Sequence, residues 1–392
     1  MTVNIKKLNF LPFCVCAILL LHVVVSFNAF ASLQIFSYLV WATELASVFL
    51  FALLFFTEGK ISVFGILVTV YYMLLTAFTF INGNDVKGVF YDTADALLLI
   101  LLFAYYQENI KVLIISSAII LSVIIYVNLI VMILFPNWMF QAKDVFDSYL
   151  LGGNYNQIGC RLLAGLVVSV ISVKYSKWWI LNTVILFIVS IITLLLVGSM
   201  TSLSNIIIFL LFCIIPSNKI RKIGIISFFA VYLIFQFFVV FNGEGLHNVE
   251  FARYIIEDVL QKDITFTNRT YLWDAAGRLF ANSPIIGYGR VDNDWYIAHL
   301  SSIAIGPHNF IYGVLINGGV SLLLVMIAIA WTALRKTINK LNTYDYLLLS
   351  AIVTLLFMMT MEVYPAFFLL FMLAIMFYGH LNNKTDSKLV KS

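Results

Sequence analysis

The feature that most constrains this chain is a succession of apolar stretches, each about as long as a bilayer is thick. A membrane-spanning helix needs roughly 20 apolar residues. Such stretches fall at 8–27, 33–56, 61–81, 89–106, 112–134, 155–173, 178–197, 202–216, 223–241, 309–331, 344–361 and 365–380. Charged residues make up only 11% of the chain, against about a quarter in a soluble domain. The sequence therefore predicts an all-α integral membrane protein with about twelve transmembrane helices.

The lysines and arginines indicate how these helices are oriented, because such residues concentrate in cytoplasmic loops. With both termini inside, the only ones on the external side, apart from the largest loop, are Lys87 and Lys143. The pattern predicts a multi-pass protein of the plasma (inner) membrane, with cytoplasmic termini and one large extracytoplasmic loop. Lys6-Lys7, an apolar run and Ala29-Phe30-Ala31 could form a cleaved signal peptide, but the run is long for one, which favours an uncleaved first helix.

The predicted organisation has four parts. A bundle of about nine helices covers 1–241, the large extracytoplasmic loop 242–307, about three further helices 308–381, and a cytoplasmic tail 382–392. The loop is too rich in aromatic residues to be disordered, and its periodicity predicts amphipathic helices over 250–261 and 268–282. Gly287 and Gly289 predict a tight turn with close backbone approach. Such a loop is either a structural cap over the bundle or part of a functional site.

Helical spacing separates the arginines that have local partners from those that do not. Arg253 and Arg278 each have an acidic residue three or four positions away, so surface pairing accounts for both. Arg269 has none at these spacings, which favours ligand binding. Arg161 also lacks one, about two turns into the predicted sixth span. A charge there faces a polar cavity or a partner on another helix, unless it snorkels to the surface.

His308 stands where the predicted tenth span begins, directly after Gly306-Pro307. The positive end of the helix dipole disfavours an imidazolium, so a histidine here can stay neutral and accept a proton. A lone histidine at a helix start can equally be a capping or hydrogen-bonding group. Both interpretations stay open at this point.

Four carboxylates in or near the predicted spans have milder interpretations. Asp92 and Asp95 stand at the start of the predicted fourth span, where capping explains them. Glu44 lies in the middle of the second span and Glu362 near the end of the eleventh. Either glutamate could be a proton-relay group of a transporter or a partner for Arg161.

An ordered set of residues resembles the Wzy/WaaL-type family of O-antigen polymerases and ligases. The set comprises Arg269-x-x-x-Trp273, Pro284, Gly287-Tyr288-Gly289, His308-Asn309 and Gly318-Gly319, preceded by Gly153-Asn154-Tyr155-Asn156 and Gly198-Ser199. Twelve helices with one large loop between the ninth and tenth, carrying short helices, are also similar to the GT-C-like bundle of that family. Many members have Ser-Arg after the glycine that opens the eighth helix. Here the sequence is Gly198-Ser199-Met200-Thr201, so one phosphate-contacting arginine is missing at that position.

The resemblance implies a glycosyltransferase of surface polysaccharide biosynthesis, for O-antigen or capsule. Such a polymerase moves a glycan from a polyprenyl diphosphate, such as undecaprenyl diphosphate, to the acceptor sugar of another lipid-linked repeat unit at the outer leaflet. It implies two catalytic residues, His308 and Arg269. It also implies that Arg269, with Arg161 or Arg290, binds the diphosphate, and that Trp273, Asn309 and Glu362 support the site.

Guanidinium groups suit a diphosphate leaving group, and a neutral base suits an acceptor hydroxyl. We therefore expect no cofactor and no metal, since arginine supplies the positive charge and paired acidic ligands for magnesium are missing. The expected partners are a polyprenyl-diphosphate-linked oligosaccharide, the lipid bilayer and other assembly proteins such as a flippase or chain-length regulator. Nucleic acid is not expected.

Three alternatives stay open. A ligase would pass the finished glycan to a different acceptor with the same donor chemistry. A transporter or flippase for lipid-linked oligosaccharide would show internal repeats, broken helices in corresponding halves and short loops, and the sequence shows none of these. A structural membrane protein without an active site would tolerate the loss of Arg269 and His308.

Overall fold

A computed structural model describes most of the chain and is helical nearly throughout. The described residues are 10–25, 38, 41–43, 45–49, 52, 62–139, 149–152, 157–259, 263–266, 268–301, 306–335, 341–362 and 364–389. Within them, the only β pairing is an isolated bridge between Tyr149 and Gly152. The prediction of an all-α protein is confirmed for these residues.

The helices follow the predicted apolar stretches closely. They are α1 (Phe10–Val24), α2 (Val63–Asn82), α3 (Val86–Tyr105), α4 (Ile110–Leu134), α5 (Ile158–Ser172), α6 (Trp178–Val197), α7 (Met200–Ile214), α8 (Asn218–Phe235), α9 (Glu250–Arg253), α10 (Arg269–Asn282), α11 (Asn293–His299), α12 (Phe310–Arg335), α13 (Thr343–Met358) and α14 (Ala366–Leu389). Turns of π-helix extend α8 over Gln236–Val240 and α9 over Tyr254–Val259. Short 3₁₀ helices cover Gln107–Asn109 and Gly243–Asn248.

Six of the described helices are long and apolar enough to cross a membrane, namely α2, α3, α4, α6, α8 and α12. The helices α1, α5, α7, α13 and the apolar part of α14 are shorter but equally apolar. The predicted span at 33–56, which includes Glu44, falls mostly outside the described residues, as do Ala29-Phe30-Ala31 and Gly153-Asn154-Tyr155-Asn156. The chain is a multi-pass membrane protein, and the count of twelve spans and their orientation stay predictions.

The start of α3 corrects one of these predictions. The helix begins at Val86, and its N-cap is Asp85, whose side chain accepts a hydrogen bond from the amide of Gly88 at 2.8 Å. Asp92 and Asp95 lie further along the helix, so the prediction that they cap it is wrong. The helix begins three residues before the predicted apolar stretch, and the aspartate directly before it supplies the cap.

The large loop is folded and has its own hydrophobic core. The predicted second amphipathic helix is confirmed as α10, and the predicted first one is a single α-helical turn, α9, continued as π-helix. Trp273 and Ala276 of α10 are fully buried against Val240, at the end of α8, and against the first half of α12. Burial of a tryptophan side chain is among the largest single hydrophobic contributions in a core. The loop is therefore fastened to the bundle through this core.

A loop segment also fills an interruption in α12. Gly318 and Gly319 have φ of −154° and +59°, neither of them helical, so the α12 hydrogen-bond ladder breaks there. Residues 284–289 satisfy the exposed backbone groups. The bonds run from Tyr288 N to Ile316 O (2.7 Å), Gly289 N to Asn317 O (2.9 Å), Val320 N to Pro284 O (2.8 Å) and Ser321 N to Ile285 O (3.3 Å).

The two glycines of this segment are required by its close packing. Gly287 and Gly289 both have positive φ. A Cβ on Gly287 would meet the carbonyl of Ile316, and one on Gly289 would meet the backbone of Thr79 in α2. The predicted tight turn with close backbone approach is confirmed, and it lies between α2 and α12.

Candidate functional site

Three side chains that are far apart in the sequence meet where the large loop joins the bundle. Glu362 follows α13, and its side chain is only 3% exposed. Arg269, the first residue of α10, donates from Nη2 to Glu362 Oε1 at 2.5 Å. The Nδ1 atom of His308 lies 3.3 Å from Glu362 Oε2. We call these residues the Arg269–Glu362–His308 cluster, and it brings the two predicted catalytic residues together on one carboxylate.

The cluster also answers two questions that the sequence left open. Arg269 has no acidic residue three or four positions away, as noted from the sequence, and it pairs with a residue 93 positions away. Glu362 was a candidate partner for Arg161, and the structure pairs it with Arg269 instead. The local pairs predicted for the other loop arginines are present, Arg253 with Glu257 and Arg278 with Asp274.

The carboxylate determines which nitrogen of His308 carries the proton. Because Glu362 forms an ion pair with Arg269, its oxygens only accept hydrogen bonds. The Nδ1–H of His308 is therefore the donor in this contact, and in the neutral form of the ring Nε2 is the nitrogen with the lone pair. A histidine oriented in this way can accept a proton from a hydroxyl group at Nε2.

The backbone around the cluster is strained at three residues. His308 has φ +45°, and Phe266 and Asn268, just before Arg269, have φ of +48° and +67°. Non-glycine residues in left-handed conformations cost of order 1–3 kcal/mol and are held in place by their surroundings, often at functional sites. One restraint is visible, since the carbonyl of Phe266 accepts a hydrogen bond from Nη1 of Arg269 at 3.3 Å.

Asn309 and Trp273, two predicted supporting residues, have structural contacts. Asn309 is buried, and its Oδ1 caps α12 by accepting from the amide of Tyr312 at 3.0 Å. Its Nδ2 donates to Gln236 Oε1 at 2.9 Å and to the carbonyl of Thr360 at 3.3 Å. The capping role that was left open for His308 thus belongs to its neighbour. Trp273 lies in the core of the loop, packed edge-on against Phe235.

A cavity of about 420 Å³ is lined by chain neighbours of the cluster, but Arg269, Glu362 and His308 are not themselves among its lining residues. Pro307 and Asn309, which flank His308 in the chain, line it, and so does Tyr364, two residues after Glu362. Burial raises the pKa of the Tyr364 phenol well above its ordinary value, and the charges of Glu362 and Arg161 act on it in opposite directions. Tyr364 therefore lies close enough to interact electrostatically with both Glu362 of the cluster and Arg161.

Arg161 is part of the cavity wall, as predicted from its unpaired charge. It is 8% exposed and donates from Nη1 to the carbonyl of Gln157 at 2.9 Å. Among the described residues no carboxylate pairs with it, and its Nε has no hydrogen-bond partner. A Cβ on Gly152 would lie 3.1 Å from Nη1, so glycine at that position makes room for the guanidinium. Its location fits the predicted polar cavity and not a snorkelling side chain.

Arg290 also lines the cavity, but its charge is taken up by the bundle. Its Nε donates to Asp92 Oδ2 at 2.6 Å, and its Nη1 donates to Asp85. Burial alone would lower the pKa of Arg290, but the two carboxylates outweigh it and raise that pKa above the ordinary value. The backbone is held as well, since the amide of Arg290 donates to Thr79 Oγ1 at 2.8 Å.

The sequence profile of the O-antigen ligase family matches residues 185–327. This segment of the chain is thus similar to the O-antigen ligase family. This match confirms the resemblance to the Wzy/WaaL-type family and indicates O-antigen polymerase or ligase activity, without separating the two. No curated protein matches the chain.

The matched segment supplies only part of the site. It contains α10, α11, the interruption of α12, and the residues Arg269, Arg290 and His308. Arg161 and Glu362 lie outside it, on α5 and after α13. The cavity and the cluster are thus formed jointly by this segment and the helices on either side of it.

Sequence reasoning missed a further pair in the cavity wall. His22 of α1 contacts Asp95 of α3, with 2.7 Å between Nδ1 and Oδ1, and both residues line the cavity. The available signal was a histidine inside an apolar span, where ionisable groups are costly. In the part of the chain that the structure describes, no three His, Cys, Asp or Glu side chains form a group that could hold a metal ion.

Proposed function

We propose that this protein is a surface-polysaccharide polymerase. It transfers a polyprenyl-diphosphate-linked glycan to the acceptor sugar of another lipid-linked repeat unit at the outer leaflet, with the large loop on the extracytoplasmic side. The observation that carries the proposal is the Arg269–Glu362–His308 cluster, next in the chain to residues that line a cavity with Arg161 in its wall. The cluster offers a base, and the two arginines offer cationic donors, which are the two requirements of this reaction.

In the proposed reaction an acceptor hydroxyl attacks the anomeric carbon of the donor sugar. The bond from that carbon to the diphosphate oxygen breaks, and the diphosphate leaves with the electron pair. The proton of the attacking hydroxyl passes to Nε2 of the neutral His308 ring, while Nδ1 keeps its contact with Glu362. Base catalysis by a positioned histidine contributes about 10²–10⁴-fold to such a step.

The two arginines stabilise the negative charge that develops on the leaving diphosphate. Of the five N–H groups of a guanidinium, Arg269 uses one on Glu362 and one on the carbonyl of Phe266. Arg161 uses one on Gln157. Both therefore keep donors for phosphate oxygens, in the planar geometry that suits bidentate binding.

Glu362 acts as a positioning residue because it holds both catalytic groups, and Trp273 and Asn309 fix the elements that carry them. We leave Arg290 out of the diphosphate site, since two aspartates already neutralise it. With guanidinium groups supplying the positive charge, the proposed mechanism needs no metal and no cofactor.

Complementation of a deletion strain tests this function through the length ladder of the surface polysaccharide. A polymerase defect leaves single repeat units. A ligase defect, the second candidate because the matched family is described as O-antigen ligase, instead leaves long chains on the lipid carrier. A normal ladder with loss of a small solute's uptake would contradict both enzymes.

Two site variants and one control make this test residue-specific. We expect His308→Ala and Arg269→Gln to fail to restore the ladder. Arg278→Gln is the matched control, because it removes an exposed arginine from the same helix and breaks only a surface pair. If all three restore normal chains, the protein has a structural role and the proposed site is wrong.

A further inference from the structure

One wall of the cavity differs in charge from the rest. It consists of His22 from α1, Tyr71 and Tyr72 from α2, and Asp92 and Asp95 from α3. We propose that this wall, which we call the acidic wall, binds the sugar hydroxyls of the acceptor and keeps the diphosphate out. The inference rests on the proposed function, since it assigns an acceptor subsite to the same cavity.

The charges of the acidic wall do not favour a phosphate group. Asp92 and Asp95 line it, and Asp85 lies behind it as a second partner of Arg290. Three carboxylates thus accompany one guanidinium, and the wall stays negative even when His22 is protonated. A diphosphate is repelled by such a surface at short range.

The opposite balance holds at Arg161. This guanidinium lines the same cavity, is nine-tenths buried, and has an Nε without a partner among the described residues. No carboxylate within the described ranges neutralises it. A negatively charged ligand group that enters the cavity is therefore attracted to Arg161 and repelled by the acidic wall. This difference fixes the orientation of a bound substrate.

The acidic wall has the groups that a neutral sugar requires. Asp92 and Asp95 bring carboxylate groups to this wall, and an ionised carboxylate accepts hydrogen bonds from hydroxyl donors. The rings of Tyr71 and Tyr72 lie edge to face, 5.2 Å apart, and give apolar surface for the C–H face of a sugar. Asn317, in the cavity lining, has a buried Oδ1 that lacks a partner among the described residues. A hydroxyl donor would satisfy it.

Size and location agree with this assignment. The cavity volume of about 420 Å³ lies within the range of about 300–1,000 Å³ that is usual for small-molecule sites. Pro307 and Asn309 line the same space on either side of His308. A sugar bound at the acidic wall therefore shares a cavity with residues adjacent to the proposed base.

The test uses two probes that separate sugar from phosphate. The first is the phosphate-free repeat unit, released by mild acid from the lipid carrier of the deletion strain, and the second is inorganic pyrophosphate. Binding of each to the full-length protein in detergent is measured by calorimetry for the wild type and for Asp95→Asn, Asn317→Ala, Arg161→Gln and the control Arg278→Gln.

We expect Asp95→Asn to raise the Kd of the repeat unit about tenfold or more, the effect of losing a hydrogen bond to a charged group, without weakening pyrophosphate binding. Arg161→Gln should do the reverse, and the control should change neither. Asn317→Ala removes an oxygen that has no hydrogen-bond partner among the described residues. It should therefore weaken sugar binding without changing the Tm. If Asp95→Asn does not fold, this variant tests the sugar subsite in its place.

Two results would overturn the acidic wall as a sugar subsite: unchanged repeat-unit binding in folded Asp95→Asn or Asn317→Ala, or equal weakening of both probes. Failure of the proposed function is a separate result. It appears as a wild-type protein that does not restore the polysaccharide ladder, while the two binding constants still report on the subsite.

Discussion

Two arginines of the large loop each form ion pairs with acidic residues outside the loop. The two contact regions, which we call junctions, differ in the number of carboxylates per arginine. At one, Arg269 shares a single carboxylate, Glu362, with His308. At the other, Arg290 alone is held by two carboxylates, Asp85 and Asp92. The first junction leaves N–H donors and a histidine nitrogen unused, whereas the second saturates its arginine with negative charge.

The backbone shows the same difference. At Arg290, the amide donates to Thr79 Oγ1 and the carbonyl accepts from the amide of Asp85, so main chain and side chain are both fixed. At the first junction, His308 and Asn268 are held in left-handed conformations that a relaxed chain avoids. One junction fastens the loop, and the other places reactive groups. An ion pair alone therefore does not identify a site, and the number of unused donors does.

The largest expected effect is that of replacing His308. If this substitution had no effect, the distinction between the two junctions would be wrong. His308→Ala should reduce chain elongation about 10²–10⁴-fold, because the side chain of this residue supplies the base. Elongation is measured with purified protein and lipid-linked repeat units extracted from the deletion strain. Activity within threefold of wild type would remove the histidine from the mechanism.

A matched pair of conservative substitutions comes next. Arg269→Lys keeps the charge but loses the guanidinium fork, so elongation should fall about 10²-fold. Arg290→Lys makes the same change at the saturated junction and should leave elongation close to wild type. Equal losses for the two variants would show that both arginines bind substrate.

Substitutions at the junction formed by Arg290, Asp85 and Asp92 should change the stability of the protein. Arg290→Met leaves Asp85 and Asp92 without their cation, so the Tm in detergent should fall by several degrees, because unpaired carboxylates near the bundle repel each other. Adding Asp92→Asn should recover part of that loss by removing one charge. If the double variant is less stable than the single one, repulsion is not the cause.

The smallest expected effect concerns the hydrogen bond between the backbone amide of Arg290 and the side chain of Thr79. Thr79→Val removes the oxygen that accepts from the amide of Arg290 and should cost about 0.5–1.5 kcal/mol, seen as a small decrease in Tm with an unchanged polysaccharide ladder. A shortened ladder would mean that the position of Arg290 matters for the chemistry as well.

The features that could be predicted from the sequence are those that depend on the spacing of nearby residues. It placed α10, gave Arg253 and Arg278 their helix-surface partners and set Arg269 apart. The partners of Arg269 and Arg290 could not be predicted, because they lie 93 and about 200 positions away on other helices. Those pairings depend on how the bundle packs, which apolar periodicity does not specify.

The same limit explains the misreading of α3. Asp92 and Asp95 occur early in an apolar stretch, where capping is the local explanation, and their actual contacts are to Arg290 and His22 on distant segments. Gly318 and Gly319 marked a motif, but nothing local indicated that residues 284–289 would occupy a break there. Glycine pairs suggest a break, and only the tertiary fold determines what fills it.

The break in α12 has a consequence for how the chain is made. Residues 284–289 leave the ribosome before α12, so they are already present when the two halves of that helix enter the membrane. Until the segment docks, the carbonyls of Ile316 and Asn317 lack their partners, a state that lipid tolerates poorly. We therefore expect insertion of α12 to wait for residues 284–289 to dock, so that substitutions that disrupt this segment lower the amount of protein in the membrane.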